Sequence, residues 1–503
     1  MNHFFKILLK DYNIMYKNIC RTLVNRKINT IIDYVRFAAI MVSGILLIIG
    51  ICYNQRDLAL FSVFIVWINN MAWCLEEIKN RFIFFFFQIT MYIFIIGRPI
   101  YQFFKGENWF HYGQKEFLFC MVALWLTLMC MYLGAILPSK LSLIKNHDSS
   151  LVSYNNEFLK CLRIVSCAVF IISFAVEAMV GLERVLFILN NSYAEYYVSF
   201  KSSLPYVLRV LASFMPYSIC IFLSTNPSKK VSFVVLSLYV ISAIPNFIVG
   251  TRNPIILNLL FALTYYLIRD SLGDVKKWFG KFEKCVTIIC APIIIIVLFF
   301  YAYVRAGLKI PHVGLNVINA FIYQQGTTFD VLSIGYDSLE YLPNNKNYTF
   351  GGLIDYYTHG TIAQHFLGAI DLGGGNSVTM GIESNSFAHN MSYIMHPEYL
   401  NGQGWGSSYI LEVFADFGYF GIIVYSILIG LLMAIVIQLC KKNYALYTMS
   451  LVILMQLYFT PRSSALGFLN PIFQKPFIAC FVGCIVCAFA LQKLLIRNKR
   501  FKK

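Results

Sequence analysis

The sequence predicts an all-α, polytopic integral membrane protein with about twelve transmembrane helices. The 503-residue chain is 58% apolar and only 13% charged, whereas about a quarter of the residues in a soluble protein are charged. Apolar runs of about 20 residues, each long enough to cross the hydrocarbon core once, recur along the chain. These runs are predicted to be helical, because a helix satisfies its own backbone polar groups in lipid.

Hydropathy divides the chain into five regions. Residues 1–32 are predicted to form an amphipathic cytoplasmic segment, because apolar and basic residues alternate there at helical spacing. Spans one to nine are predicted within 33–305, an extracytoplasmic loop with short helices within 306–406, spans ten to twelve within 407–492, and a basic cytoplasmic tail within 493–503. The predicted spans are 34–52, 58–75, 82–97, 117–137, 161–181, 204–224, 231–250, 254–268, 285–304, 417–439, 444–459 and 476–491.

Lysine and arginine set the predicted orientation, which places both termini in the cytoplasm. Alternate loops are rich in these residues, for example at Lys79 and Arg81 and again along 269–284, and the other loops are poorer. This topology signal also accounts for the net charge of +17. No nucleic-acid partner is expected, because no basic stripe interleaved with aromatic residues appears.

The predicted outer loop, 306–406, holds five of the eight histidines. Long loops on a rigid scaffold usually carry function, and a histidine near neutral pH is a natural general base. We select His389 for that role. The histidines form no HxH or HxxxH pair, so neither a metal nor another cofactor is expected.

The stretch 385–421 continues from His389 through a glycine-rich bend into a predicted helix. Glu412 and Asp416 lie four residues apart on this helix and therefore share a face. Two carboxyl groups in different environments can divide acid and base roles, or they can form a polar face that meets the loop. In the predicted spans, Glu177 and Arg209 are expected to neutralise each other.

Arginines cluster at the predicted outer ends of the spans. Arg252 lies in GTRNP, Arg305 in YAYVRAG and Arg462 in FTPRSS. Arginine is permanently charged and its fork of donors matches phosphate oxygens, so these three favour a diphosphate site. The alternative is that an arginine reaches out to lipid headgroups, an interpretation that is strong for Arg462, Arg56 and Arg98 and weaker for Arg252.

Several motifs lie between 250 and 464: GTRNP, then YQQGTTFDVL at 323–332, then S-x-x-H, GQGWGSSYILEVFADFGYFG and PRSS. With the topology of the whole chain, these motifs resemble the Wzy-type O-antigen and capsular oligosaccharide repeat-unit polymerases. The resemblance implies a metal-independent, GT-C-like membrane glycosyltransferase of the bacterial cytoplasmic membrane. Such an enzyme would transfer the growing undecaprenyl-diphosphate-linked glycan onto a lipid-linked repeat unit at the outer face.

The resemblance also suggests roles for individual residues. Arg252, Arg305 and Arg462 would bind diphosphate, and either His389 or Glu412 would take the proton of the acceptor hydroxyl. Residues expected to contact sugars are Gln324, Gln325, Tyr393, Trp405 and Tyr409. Besides the lipid-linked oligosaccharide and the bilayer, a chain-length regulator and a flippase of the same pathway are candidate partners.

Other classes of membrane protein also fit about twelve spans. A lipid-linked oligosaccharide flippase would carry internal repeats and midplane binding groups, whereas here no repeat is visible and the charges gather at one face. An O-antigen ligase would share the shape and differ in its acceptor. A purely structural scaffold would leave the clustered arginines unexplained.

Overall fold

A computed structural model describes residues 32–140, 156–191, 193–273, 277–305, 309 and 316–501. Throughout this part of the chain the regular structure is helical, with no strands. Of the predictions above, those for residues 1–31, for His312 and for the side chain of Arg305 lie outside the described residues. The chain divides into two compact units, residues 1–73 and 74–503.

Ten helices in the described residues are long and apolar enough to cross a bilayer, which confirms the polytopic all-helical class. They run Ile32–Cys52, Arg56–Glu76, Ile78–Phe104, Gln114–Pro138, Glu157–Asn190, Tyr206–Ser224, Lys229–Val249, Lys281–Tyr301, Tyr409–Lys442 and Lys475–Arg497. Helices Asn253–Ser271 and Tyr444–Leu457 coincide with the eighth and eleventh predicted spans, but they are not among the ten helices that are both long and apolar enough to cross a bilayer. The count of twelve therefore stays a prediction.

Several membrane helices are longer than their apolar cores or are interrupted. Four helices extend beyond the candidate membrane spans given above: Gln114–Lys140, Asn156–Asn190, Lys281–Arg305 and Lys475–Phe501. Pro216 and Pro245 each lie at the start of a new helical piece, because proline cannot continue the hydrogen-bond ladder of the turn before it. The resulting pieces are Tyr206–Ser213, Met215–Ser224, Lys229–Ile241 and Ile244–Val249.

The described part of the first unit contains helix Ile32–Cys52 and the start of helix Arg56–Glu76. Gly50 lies where the chain turns between them. A Cβ at this position would lie 2.7 Å from the backbone nitrogen of Ala59, closer than side-chain carbons approach. The tight connection therefore depends on a residue without a side chain.

In the second unit, helices Gln114–Lys140 and Tyr409–Lys442 pack backbone against backbone. A Cβ on Gly134 would lie 2.1 Å from the carbonyl oxygen of Ile427, and one on Gly430 would lie 2.1 Å from that of Met131. Small residues allow such close approach in membrane helices. This pair fixes the position of helix Tyr409–Lys442, which carries Glu412 in its first turn.

Between helices Lys281–Arg305 and Tyr409–Lys442 the described chain forms short helices. They are Val317–Gln325, Thr328–Ser338, Gly351–Thr358, Thr361–Leu367, Val378–Glu383 and Phe387–Met395. Helix Val317–Gln325 is attached to the membrane helices through Phe321, which packs with buried Leu298 and Phe299. This attachment places the residues at the end of the short helix among the ends of the membrane helices.

The predicted pairing of Glu177 with Arg209 is wrong. Glu177 Oε1 lies 2.8 Å from an Nη of Arg184 on the same helix, seven residues or about two turns away. The same Arg184 nitrogen donates to the amide oxygen of Asn246 at 3.1 Å. Arg209 instead lies over the ring of Tyr206. Glu177 thus forms its ion pair with Arg184 of its own helix, and not with Arg209 of the next span.

Candidate functional site

Arg252 is positioned by a sharp turn between two helices. Gly250 ends helix Ile244–Val249 with φ of 110°, a left-handed conformation that glycine adopts without steric cost. Pro254 lies in the first turn of the next helix, Asn253–Ser271, where its fixed φ favours helix initiation. The GTRNP motif is thus a helix stop followed by a helix start, with Arg252 held between them.

The Arg252 guanidinium spans two elements. Its Nη1 donates to the carbonyl oxygen of Leu298 and to Oε1 of Gln324, each at 3.1 Å. Leu298 belongs to membrane helix Lys281–Arg305, and Gln324 to the short helix Val317–Gln325. Arg252 is therefore a link between the membrane helices and the long connecting segment.

Arg462 binds the next residue of the same short helix. It ends the 3₁₀ turn Thr460–Arg462, and its Nη1 donates to the carbonyl oxygen of Gln325 at 3.1 Å and to Oε1 of Gln325 at 3.3 Å. The last carbonyls of a helix lack partners within it and carry partial negative charge. Arg462 therefore caps the C-terminal end of helix Val317–Gln325.

Arg98 joins the same helix end, which the sequence interpretation missed. It follows a π-helical turn, Tyr92–Ile96, an irregularity often found at functional sites. Its Nη2 lies 3.1 Å from Oδ2 of Asp330, and its guanidinium carbon lies 4.5 Å from the centre of the Tyr323 ring. The available signal was Asp330, a charged residue inside the YQQGTTFDVL motif.

Arg98, Arg252 and Arg462, here named the arginine cluster, thus meet the consecutive residues Tyr323, Gln324 and Gln325. Three separate stretches of sequence supply the cations, and one turn of helix receives them. All three arginines are half-buried. Gly326 is required beside them, because a Cβ there would lie 2.4 Å from Cβ of Arg98.

The cluster is not electrostatically uniform. Arg98 faces a carboxylate; burial raises the pKa of Asp330, and the Arg98 charge opposes that shift. The hydrogen bonds given above for Arg252 and Arg462 go to neutral oxygens. Hydrogen bonds between ionised partners are about twice as strong as neutral ones. A bound anion would therefore compete with amide oxygens at Arg252 and Arg462, but with a carboxylate at Arg98.

His389 lies on helix Phe387–Met395 in a wall of aromatic side chains. Its Nδ1 is 2.9 Å from the hydroxyl of Tyr399, whose ring also meets that of Tyr393 at 5.7 Å. Burial lowers the pKa of His389, and the charge of Asp355 opposes the shift. The ring is therefore neutral at pH 7 and can accept a proton. Within the described residues, no hydrogen bond joins His389 to the arginine cluster.

Glu412 is buried, with 2% of its surface exposed. Its Oε1 accepts a hydrogen bond from the Ser407 hydroxyl at 2.8 Å, and its Oε2 accepts one from the backbone N–H of Ala465 at 2.7 Å. Ala465 lies three residues after Arg462. The carboxylate thus ties the start of helix Tyr409–Lys442 to the turn that presents Arg462.

Asp416 shares the helix of Glu412 but binds a different segment. Its carboxylate accepts the backbone N–H groups of Tyr348 and Thr349 at 3.0 and 2.6 Å. Two residues later Gly418 has φ of 60° and ψ of −155°, a region that is essentially restricted to glycine. Both carboxylates therefore lie before a kink that separates them from the long apolar part of the helix.

The aromatic residues predicted to contact sugars have different surroundings. Tyr393 and Trp405 are half-buried beside Tyr399 and His396 respectively. Tyr409 is only 1% exposed, and its ring packs against that of Tyr425 at 5.2 Å. Tyr409 therefore belongs to the packed interior, whereas Tyr393 and Trp405 retain accessible surface.

The described part of the chain contains His, Cys, Asp and Glu side chains, which are the usual metal ligands. No group of three or more His, Cys, Asp or Glu side chains is arranged to hold a metal ion there. The carboxylates at the site instead accept protein hydrogen bonds, as Glu412 and Asp416 do.

The helices define a multi-pass membrane protein that carries a half-buried arginine cluster. A family model of the O-antigen polysaccharide polymerase Wzy matches residues 35–493, so the chain belongs to this family. Its members are glycosyltransferase-type polymerases that act on lipid-linked oligosaccharides in the bacterial inner membrane. No curated protein and no solved structure is significantly similar to the chain.

Proposed function

We propose that this protein extends a glycan by transferring the growing undecaprenyl-diphosphate-linked chain onto a lipid-linked repeat unit at the outer face of the cytoplasmic membrane. The proposal includes a GT-C-like arrangement of about twelve spans with both termini in the cytoplasm. The acceptor hydroxyl attacks the anomeric carbon of the donor sugar. The bond from that carbon to the diphosphate breaks, and the lipid diphosphate leaves.

The observation that carries the proposal is the convergence of Arg252 and Arg462 on adjacent glutamines. A leaving diphosphate gains negative charge, and fixed cations stabilise it most effectively where water is partly excluded. The amide oxygens of Gln324 and Gln325 are neutral and can be exchanged for charged phosphate oxygens, which form stronger hydrogen bonds with a guanidinium. The two glutamines therefore hold the arginines in place until the substrate binds, and then turn toward its sugars.

Arg98 has a different role in this proposal. Its carboxylate partner Asp330 keeps it against Tyr323 and Gly326. Arg98 thus positions the end of helix Val317–Gln325, and does not bind the diphosphate directly. Arg305, at the end of helix Lys281–Arg305, remains a further candidate ligand on the sequence argument.

Proton transfer is assigned to His389. The tautomer with its proton on Nδ1 donates to the oxygen of Tyr399 and leaves Nε2 as the acceptor for the proton of the sugar hydroxyl. Tyr393 and Trp405, the accessible aromatics of this wall, contact the sugars. Because donor and acceptor are both tethered to lipid, proximity supplies much of the acceleration.

Glu412 is assigned a supporting role beside its predicted catalytic one. Both of its oxygens accept hydrogen bonds from the protein, so it fixes the Arg462 turn. One substitution distinguishes the supporting role of Glu412 from the catalytic role. Glu412→Gln keeps an oxygen that accepts the Ala465 N–H but cannot take up a proton as a base, so a positioning role tolerates glutamine and a catalytic role does not.

The test uses a strain in which the gene is deleted and variants are supplied in its place. We expect Arg252→Ala and Arg462→Ala each to lower long-chain glycan about 10- to 100-fold, the value of one lost hydrogen bond to a charged group. Arg163→Ala is the matched control, since Arg163 is also half-buried and binds neutral oxygens of Thr225. Equal membrane levels are checked by immunoblot. Full-length polymer from both cluster variants would refute the site assignment.

The same deletion separates the proposed polymerase from its alternatives. Single repeat units on the lipid carrier or cell surface are the expected product of a lost polymerase. Repeat units trapped in the cytoplasm would identify a flippase instead. Finished polymer retained on the lipid carrier would identify a ligase.

A further inference from the structure

A second cationic region lies at the other ends of the helices that carry the arginine cluster. A cavity of about 740 Å³ opens between the start of helix Ile78–Phe104, the end of helix Asn253–Ser271 and the start of helix Lys281–Arg305. Its volume lies within the range of about 300 to 1,000 Å³ that is usual for ligand sites. None of the residues assigned above to the transfer reaction lines this cavity.

The walls of the cavity are hydrophobic. Phe82, Phe85 and Phe86 line one side and Leu263 and Leu267 the other. Apolar burial contributes about 25 cal/mol for each Å² of apolar surface removed from water. A small polar ligand has little such surface, so these walls would stabilise it only weakly. A hydrocarbon chain is the type of group that they favour.

The rim of the cavity is cationic. Lys79, Lys277 and Lys284 line it and are exposed. The Ser271 hydroxyl donates to the carbonyl oxygen of Lys79 at 2.9 Å, which holds the two helix ends together. We name this cavity and its three lysines the lysine pocket.

One carboxylate, Asp270, also lines the lysine pocket, but it is engaged. Its two oxygens accept the backbone N–H groups of Trp278 and Phe279 at 2.6 and 2.9 Å. The three lysines therefore outnumber it, and the rim has a net positive charge. Apolar walls with a cationic rim match a molecule that has a hydrocarbon chain and an anionic head.

We propose that the lysine pocket binds an anionic phospholipid of the bilayer, with one acyl chain between the phenylalanines and leucines and the phosphate at the three lysines. Basic pockets between membrane helices bind anionic headgroups by the same combination of forces. The bound lipid joins the three helix ends that line the cavity. A polyprenyl phosphate has the same kind of head but a branched, unsaturated chain, and the test separates the two.

The test measures lipid binding by the purified full-length protein with native mass spectrometry. Phosphatidylglycerol, phosphatidylcholine and undecaprenyl phosphate are added separately. The variant Lys79→Gln/Lys277→Gln/Lys284→Gln removes the rim charges. The matched control, Lys281→Gln/Lys441→Gln/Lys442→Gln, removes three lysines that do not line the cavity.

We expect the rim variant to bind phosphatidylglycerol about 100-fold more weakly, since each lysine near an anionic headgroup contributes about fivefold, or about 1 kcal/mol. The control variant should bind like the wild type, and phosphatidylcholine should bind weakly to all three proteins. Added salt should weaken phosphatidylglycerol binding to the wild type, because it screens exposed charges.

A second variant tests the cavity itself. Leu263→Trp fills the space between the walls and should weaken phosphatidylglycerol binding while the rim lysines remain. Equal binding by the wild type, the rim variant and Leu263→Trp would overturn the proposal. A larger loss of undecaprenyl phosphate binding than of phosphatidylglycerol binding in the rim variant, in which the arginine cluster is intact, would overturn the assigned occupant. Neither result depends on whether the arginine cluster binds diphosphate.

Discussion

The arginine cluster and the lysine pocket lie at opposite ends of two shared helices, Ile78–Phe104 and Asn253–Ser271. Helix Ile78–Phe104 carries Lys79 near its start and Arg98 near its end, and at 1.5 Å per residue these positions are about 30 Å apart. That distance is about the thickness of the hydrocarbon core. Both regions are positive, but they hold their charge in different ways.

The arginines are half-buried and oriented, whereas the lysines are exposed over an apolar space. Arg252 and Arg462 make specific hydrogen bonds to backbone and amide oxygens. The three lysines of the rim attract an anion mainly as point charges. We propose that geometry determines binding at the arginine cluster and that net charge determines it at the lysine pocket. Exchanges between lysine and arginine at each end test this directly.

The largest effect is expected from Arg252→Lys and Arg462→Lys. Lysine keeps the charge but lacks the planar fork that reaches two oxygens at once. We expect about a 10-fold or greater loss of long-chain glycan in each variant, measured on gels at matched membrane levels. Arg163→Lys is the control and should leave the glycan unchanged. Wild-type ladders from both cluster variants would mean that charge alone is sufficient there.

The next effect is expected at Glu412, which supports the Arg462 turn. Glu412→Ala removes the acceptor for the Ala465 N–H and leaves that donor buried, which costs about 1 to 3 kcal/mol. We expect a lower unfolding temperature and about 10-fold less polymer. Glu412→Gln should recover most of both. If glutamine preserves stability but abolishes polymer, the carboxylate is catalytic and the supporting role is insufficient.

A smaller effect is expected in the pH dependence assigned to His389. A protonated ring cannot accept a proton, so activity should fall as the pH drops through the pKa, which burial holds below the ordinary value of about 6.5. The charge of Asp355 raises this pKa, so Asp355→Asn should move the acid limb to lower pH. Asp371→Asn is the control in the same segment. An acid limb that stays in place in Asp355→Asn, or that persists in His389→Ala, contradicts the assignment.

The smallest effect is expected from arginine at the rim of the lysine pocket. Lys277→Arg and Lys284→Arg keep the charge, so binding of phosphatidylglycerol should change by no more than about twofold, within the contribution of one exposed charge. Native mass spectrometry measures it against the wild type. A loss as large as that expected for the glutamine variant would show that the lysines, like the arginines, act through fixed geometry.

The membrane class and two members of the arginine cluster, Arg252 and Arg462, could be predicted from the sequence because each has a local signal. Hydrocarbon crossings leave long apolar runs, and GTRNP contains its own helix stop and helix start, so Arg252 was recognisable as a constrained residue. Arg98 was interpreted as a headgroup anchor because its own span gives no sign of a partner. Its partner, Asp330, lies 232 residues later in the sequence, and only the fold brings them together.

The surroundings of Glu412 and the lysine pocket also could not be predicted from the sequence, because they depend on residues that only the fold brings together. The sequence placed Glu412 just before an apolar run, where it could equally have been exposed. Its burial depends on Ser407 and on Ala465 from another helix connection. The lysines of the pocket were predicted as topology signals, and each is ordinary in its own loop. Only the packing of three helix ends creates the cavity that gives them a common ligand.

The central claim is that Arg252 and Arg462 bind a lipid diphosphate in place of their glutamine contacts. Binding of undecaprenyl diphosphate to the purified protein tests it directly, with Arg252→Ala/Arg462→Ala compared with Arg163→Ala. We expect the double variant to bind at least about 100-fold more weakly, because two sets of charged hydrogen bonds are lost, and we expect the control to bind like the wild type. Equal binding by all three proteins would contradict it.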